Sequence, residues 1–364
     1  VDPSASVPEH LREHLARLYP ERTITSIQPM APDSGATQGS TSKAAGFSLP
    51  VYIRLDGADG PLELVWRVAG DNELGHDRRS DRAASLIQAF DDFSGIPRHI
   101  QPIDVGAITP GGELISMRDG GELYLITEFA PGTLYATDLR RIANEAVARE
   151  VDLRRVAILA RYLAELHTPV VAPHRYRRVI RDLVGSGEGI YGIVDAYPSD
   201  VPGASRERLH AIERRCADWR WRLREHESRL ARTHGDFHPF NIVFRDDDQL
   251  ALLDASRGGC GDPADDVTAL AVNFVLFALD APGAWARGLG PLWHRFWEVY
   301  LRDRPDPVLT SVSPPFFAWR ALVVCNPKFY PQLGRAGRDS LLGLAEAALD
   351  AHHLEPAWAD ELFR

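Results

Sequence analysis

The stretch His234-Gly-Asp-Phe-His-Pro-Phe-Asn241 limits what this chain can fold into more than any other. Asp236 stands five positions before Asn241 and 18 before Asp254, which closes the apolar run Leu250-Ala-Leu-Leu. Only about a dozen residues separate Asn241 from Asp254, room for a short β-ribbon and little else. A ribbon of that size would return three oxygen-bearing side chains to one end. Phosphoryl transfer from a nucleotide requires such a set: one carboxylate to accept the proton of an attacking hydroxyl, an amide oxygen and a second carboxylate to hold Mg²⁺ against the phosphates. A polar turn near Pro239 would account for Asp236 and Asn241 but not for a second motif, Gly261-Asp-Pro-Ala-Asp-Asp266.

With 364 residues, 45% of them hydrophobic, the chain can bury a substantial core and is long enough for two lobes. It holds no run of 18 apolar residues and opens on Val1-Asp-Pro-Ser-Ala-Ser, without the basic and apolar regions of a secretory leader. A soluble, cytoplasmic protein with no membrane partner is therefore expected. Cys216, Cys260 and Cys325 are odd in number and lack Cys-x-x-Cys spacing, so reduced thiols are expected rather than a disulfide framework or a zinc knuckle. A formal net charge of −10 with no basic block argues against nucleic acid as a partner. It would suit a cationic small molecule, although the same balance also serves solubility. Monomer and homodimer both remain open.

Leu11, Leu15 and Leu18 at helical spacing predict an N-terminal helix from Pro8 to Tyr19. Short runs rich in β-branched and aromatic residues, Ile24–Met30, Pro50–Leu55 and Leu62–Val68, predict antiparallel strands. A helix is expected over Asp77–Phe93, then two further strands, Ile100–Ala107 and Glu122–Phe129, around the turn-rich segment Thr109–Gly121. Past Ala130-Pro-Gly132 the pattern becomes helical at Asp138–Arg149, Leu153–His167, Ser205–Leu230, Ala264–Leu279, Leu292–Tyr300, Phe316–Val324 and Ser340–Ala351. Between them, Val170–Gly203 reads as irregular. The predicted architecture is α+β: a mixed antiparallel β lobe, residues 1–129, then a mainly helical lobe, residues 130–364. Trp219, Trp221, Trp293, Trp297 and Trp319 are expected to pack the helical lobe.

His234–Asn241 is similar to the catalytic loop of the aminoglycoside phosphotransferase and choline kinase family, small-molecule kinases related in fold to protein kinases. Gly261–Asp266 resembles the Gly-Asp-Pro-x-x-Asp that follows that family's metal-binding Asp, and the two motifs fall in family order over about 33 positions. The resemblance implies a protein-kinase-like bilobal fold and an enzyme that moves the γ-phosphoryl group of ATP to a hydroxyl of a small molecule. It makes Asp236 the base or orienter of that hydroxyl and Asn241 and Asp254 the Mg²⁺ ligands. His234 and His238 support the loop, and Asp266, with Asp262, braces it from the start of a helix. Asp254-Ala-Ser lacks the acidic residue that many relatives carry two places on; Arg257-Gly258 is closer to some aminoglycoside kinases.

On the nucleotide side, Gly35–Lys43 lies where kinases place a phosphate-covering loop, yet it matches neither Gly-x-Gly-x-x-Gly nor a P-loop. The resemblance offers Arg67 as the third-strand cation, Lys43 as its alternative, and Asp81 as the acidic helix partner. Leu123-Tyr-Leu-Ile-Thr-Glu128-Phe-Ala130 resembles the hinge, where main-chain groups of Glu128 and Ala130 would bond the adenine edge without separating ATP from GTP. Asp360 and Glu361 resemble an acidic tail with which some aminoglycoside kinases bind substrate amines. An aminoglycoside-like antibiotic or an aminosugar is the first acceptor implied, with antibiotic resistance as the role; a sugar or amino-alcohol metabolite is the second. The missing third-strand Lys and irregular glycine loop favour a nucleotide-binding pseudokinase that regulates a partner, and the complete set of Asp236, Asn241 and Asp254 weighs against it.

Overall fold

Leu11 and Leu15, four positions apart, lie on one face of helix α1 (Val7–Leu18) and are buried there. They pack on Ile53 and Leu55 of a three-stranded antiparallel sheet ordered β1 (Thr23–Pro29), β2 (Val51–Asp56), β3 (Leu62–Trp66). Burying each such side chain contributes roughly 1.5–3 kcal/mol, enough to seat the helix. The computed structural model describes residues 7–29, 50–255, 257 and 259–364, and the chain divides into two compact units, Val1–Thr127 and Glu128–Arg364. The class is α+β, as the sequence pattern implied.

The rest of the first unit departs from the expected strands. Helix α2 (Arg79–Asp92) is followed by one small hairpin, β4 (Gly106–Ile108) with β5 (Leu114–Ser116), so Ile100–Ala107 is extended only at its end and the turn-rich segment itself contributes a strand. Glu122–Phe129 forms no strand. Its run of Leu123, Tyr124, Leu125 and Ile126 is exposed. β-propensity reports fit to a neighbouring strand and a half-buried face, and neither is supplied there.

The second unit is mainly helical. Strand β6 (Thr133–Leu134) leads into α3 (Tyr135–Glu145), α4 (Glu150–Leu166), α5 (Pro173–Gly185), α6 (Ile190–Asp195) and α7 (Arg206–Leu223). The segment read as irregular is thus mostly helix. Amphipathic α5 buries Tyr176, Ile180, Leu183 and Val184, and the glycine cluster at 185–189 only turns the chain into α6. Helix α7 ends at Leu223 and tightens into a 3₁₀ turn over Arg224–Arg229. Strands β7 (Ala231–Arg232), β8 (Ile242–Phe244), β9 (Leu250–Leu252) and β10 (Cys260–Gly261) follow, then α8 (Pro263–Leu279), α9 (Gly290–Asp303), α10 (Leu309–Val312), α11 (Pro314–Cys325), α12 (Arg335–Ala351) and α13 (Trp358–Glu361).

Helix α8 is buried from Pro263 to Ala278 and forms the axis of the core. Two of its polar side chains donate back to the helix: Thr268 Oγ1 to Ala264 O at 2.7 Å and Asn273 Nδ2 to Ala269 O at 2.7 Å. Trp219, Trp293, Trp297 and Trp319 are buried, whereas Trp221 is exposed. No helix among the described residues is long and apolar enough to cross a membrane.

Candidate active site

Two ribbons bring the motif residues together. β8 pairs antiparallel with β9 and with β6, while β7 pairs with β10, Cys260 opposite Arg232. The chain therefore leaves β7, makes the 233–241 loop, returns through the β8–β9 ribbon, and makes a second loop into β10 beside its starting strand. Leu253 N–H donates to Asn241 O at 2.9 Å and stitches the two loops. Gly235 has φ +85, a conformation that strains any residue with a Cβ. Asp254 has φ +45, left-handed backbone that Asp tolerates better than most.

Asp236 is held on both sides of its carboxylate. Oδ1 accepts from Arg320 Nη1 at 2.8 Å and faces Arg257 Nη2 at 3.5 Å. Oδ2 lies 3.3 Å from His238 Nε2 and 3.4 Å from Asn241 Nδ2. His238 Nδ1 accepts the Phe240 N–H at 3.2 Å, which leaves the proton of a neutral ring on Nε2, directed at Asp236. Burial pushes the Asp236 carboxyl up, but the His238 hydrogen bond and the charges of Arg320 and Arg257 outweigh it and hold the group well below the ordinary carboxylate range.

The loop is braced from the first turn of α8. Asp266, fully buried, accepts from His234 N–H at 2.7 Å and Gly235 N–H at 2.8 Å, with His167 Nε2 at 3.2 Å. His167 Nδ1 in turn meets Tyr300 Oη at 2.7 Å. Asp262 caps α8 through Ala264 N–H at 2.9 Å and accepts from Nε and Nη2 of Arg229, each at 2.9 Å, and from Tyr176 Oη at 2.8 Å. His234 Nδ1 accepts from Asp236 N–H at 3.3 Å.

Burial pushes the Asp266 carboxyl up, and His167 with the two backbone donors brings it below its usual value. A carboxyl lowered on folding stabilises fully above its unfolded pKa, near 3.9, and loses that contribution as pH falls through the folded value. Urea midpoints should therefore be insensitive to Asp266 above about pH 5 and fall below about pH 4. In Asp266→Asn the acid limb should be shallower; an unchanged limb would remove Asp266 from the account.

Asn241 Nδ2 donates to Asp236 O at 3.1 Å and lies 3.5 Å from Asp254 O, so its Oδ1 is the atom left for a cation. Asp254 is exposed. An amide oxygen and a carboxylate fit Mg²⁺, which takes one or two protein oxygens and completes its shell with phosphate and water. Among the described residues, no group of three His, Cys, Asp or Glu side chains could hold a metal unaided.

Arg67 is exposed and its guanidinium sits over the Phe93 ring at 5.9 Å. Asp81 Oδ2 accepts Arg78 N–H at 3.0 Å and caps α2. Lys43 and the 35–43 segment lie outside the described residues. Glu128 is exposed and Ala130 half-buried. Asp360 Oδ1 accepts Trp285 Nε1–H at 2.8 Å and faces His294 Nε2 at 3.1 Å, Phe363 stacks on Trp285 at 4.4 Å, and Glu361 is exposed.

A profile of the phosphotransferase enzyme family matches residues 43–305, well over half of the chain. The chain belongs to the phosphotransferase enzyme family. Glucosamine kinase of Streptacidiphilus jiangxiensis is 29% identical over 154 residues, which are 39% of this chain and 34% of that protein. The match thus spans about a third of the length of this curated relative. Among solved structures, a glucosamine kinase is 17% identical with TM-score 0.42, covering 97% of this chain and 85% of that one. The choline kinase LicA from Streptococcus pneumoniae is 13% identical with TM-score 0.34, covering 94% and 98%.

Sequence reasoning did not place Arg320, Asp265, Trp319 or Glu188 at this candidate site. Arg320 Nη2 bonds Gly235 O at 3.1 Å and Asp265 Oδ1 at 2.6 Å, so one guanidinium links the loop to α8. Trp319 lies under both Arg320 and Arg257, at 4.1 and 4.0 Å, and its Nε1 donates to Glu188 O at 3.0 Å. A signal for the pair existed: Arg320 is the lone charge in the apolar stretch Pro314–Cys325, and such a charge requires a buried acid.

Proposed function

We propose that this phosphotransferase moves the γ-phosphoryl group of ATP, bound as its Mg²⁺ complex, to a hydroxyl of a small molecule. The support is the Asn241 amide, which hydrogen-bonds Asp236 and reaches the main chain of Asp254, so the candidate base and both candidate ligands share one network. Asp236, ionised at neutral pH, orients the acceptor hydroxyl and takes its proton as the new P–O bond forms. A weak base suffices, because the transferring group passes through a loose transition state that needs positioning more than proton abstraction. Bound Mg²⁺ would neutralise charge on the phosphates, held by Asn241 and Asp254. Arg67 or Lys43, with main chain at Glu128 and Ala130, is proposed for the nucleotide, and Asp360 and Glu361 for substrate amines.

The glucosamine kinase relative makes an aminosugar, or an aminoglycoside, the first acceptor to test, with sugars and amino alcohols next. A cytoplasmic role in antibiotic resistance or in metabolism goes with that choice. The test is transfer from Mg-ATP by the purified chain across aminoglycosides, glucosamine, choline and ethanolamine, with growth of a drug-sensitive host carrying the gene. Nucleotide binding with neither transfer nor hydrolysis would favour a regulatory protein instead. Asp254→Ala should weaken Mg-nucleotide binding by roughly ten- to a hundredfold, as loss of a charged contact does, and leave metal-free nucleotide affinity unchanged. Equal Mg-nucleotide affinity by calorimetry would exclude Asp254 as a ligand.

A further inference from the structure

The two oxygens of Asp236 have unlike surroundings. Oδ1 receives a short charge-assisted bond from Arg320 Nη1 at 2.8 Å and faces Arg257 Nη2 at 3.5 Å. Oδ2 has two contacts, His238 Nε2 at 3.3 Å and Asn241 Nδ2 at 3.4 Å, both longer than a normal N–H···O bond. Oδ2 therefore keeps lone-pair capacity for an incoming hydroxyl, on the side of the Asn241 amide, where cation and phosphate would sit. The terminal torsion of an Asp side chain is broad and nearly two-fold, so a carboxylate held less firmly would exchange its oxygens.

The group that prevents this exchange is itself held. Arg320, buried on α11, spreads one fork over three acceptors: besides Asp236, its Nη2 meets Gly235 O at 3.1 Å and Asp265 Oδ1 at 2.6 Å. Its guanidinium lies over the Trp319 ring at 4.1 Å, and Trp319 Nε1 donates to Glu188 O at 3.0 Å in the turn between α5 and α6. One turn on, Leu322 O accepts from Tyr197 Oη at 2.6 Å, and Asn326 Nδ2 reaches Ile193 O of α6 at 3.4 Å. Helix α11 is thus bonded to Asp236 and, along the same few turns, to α6 and the segments on either side of it.

We propose that Arg320 is a positioning residue for phosphoryl transfer: by occupying Oδ1 it leaves Oδ2 as the oxygen of Asp236 that meets the acceptor hydroxyl, in a plane fixed by α11. This rests on the phosphotransfer reading and adds a requirement that charge alone does not meet. A lysine would keep a cation beside Asp236 and Asp265 but lose the planar fork that ties their oxygens together.

Single-turnover transfer from Mg-ATP to glucosamine, with Mg-ATP hydrolysis by water read in the same mixtures, separates positioning from packing in the full chain. Hydrolysis carries the comparison if glucosamine accepts no phosphate. Arg320→Lys should lower the rate constant at saturating substrates by roughly ten- to a hundredfold, the cost of misplacing a reacting group by about 1 Å. Its Mg-AMP-PNP affinity by calorimetry should match that of the wild type, and its urea midpoint should lie nearer the wild type than that of Arg320→Met, because the buried acids keep a cation. The double variant of Arg320→Met with Asp265→Leu removes the pair without orphaning a charge; it should regain part of the lost midpoint and still transfer no faster than Arg320→Lys. A purely structural Arg320 requires the rate to follow the midpoint across these variants, and that result overturns the proposal. So does a wild-type rate in Arg320→Lys or in the double variant. A wild-type chain that binds Mg-AMP-PNP but neither transfers nor hydrolyses defeats the phosphotransfer reading itself, and the positioning role falls with it.

Discussion

Asp236→Asn is expected to lower kcat by about 10²–10⁴-fold, the range for loss of a positioned acid–base group, while Mg-nucleotide affinity stays close to that of the wild type. The amide keeps the shape of the carboxylate and can still accept from Arg320, which also retains Gly235 O and Asp265. What it lacks is the charge that draws the acceptor hydroxyl and the capacity to take its proton. Single-turnover transfer with saturating acceptor isolates the chemical step from binding. Near-normal transfer would refute the role of Asp236, and the mechanism with it.

Arg320→Met should destabilise the protein by roughly 3–5 kcal/mol, the usual cost of removing one partner from a buried ion pair. Asp265, buried, loses the guanidinium it contacts at 2.6 Å, and Asp236 loses its shortest cationic contact. Guanidinium unfolding with an unchanged m-value measures the difference as a shift of midpoint. Adding Asp265→Leu to Arg320→Met should recover part of the loss, since an apolar pair replaces an orphaned charge. A shift of under about 1 kcal/mol, the size of a surface pair, would mean the interaction is worth little.

The motifs marked out the candidate site, and the periodicities most of the helices. Oxygen ligands at short spacing restrict the geometry of a loop whatever surrounds it, so the His234–Asn241 and Gly261–Asp266 segments could be read without a partner in view. Glu122–Phe129 could not, because its apolar run states a preference for burial and not which neighbour provides it. Val170–Gly203 hides its helices for a related reason: the glycines at 185 to 189 signal a turn, while Tyr176, Ile180, Leu183 and Val184 carry the helical spacing of a buried face. Arg320 is 84 positions from its partner Asp236, and only its isolation among apolar residues hinted that it must find an acid.

Helix α8 has no side in contact with water over nearly all its length. Its amides can exchange with solvent only when the surrounding helices separate, which is to say in global unfolding of this unit rather than in local fraying. The acids at its first turn therefore inherit the lifetime of the whole native state, and the loop bearing Asp236 is tethered to the slowest-opening part of the molecule.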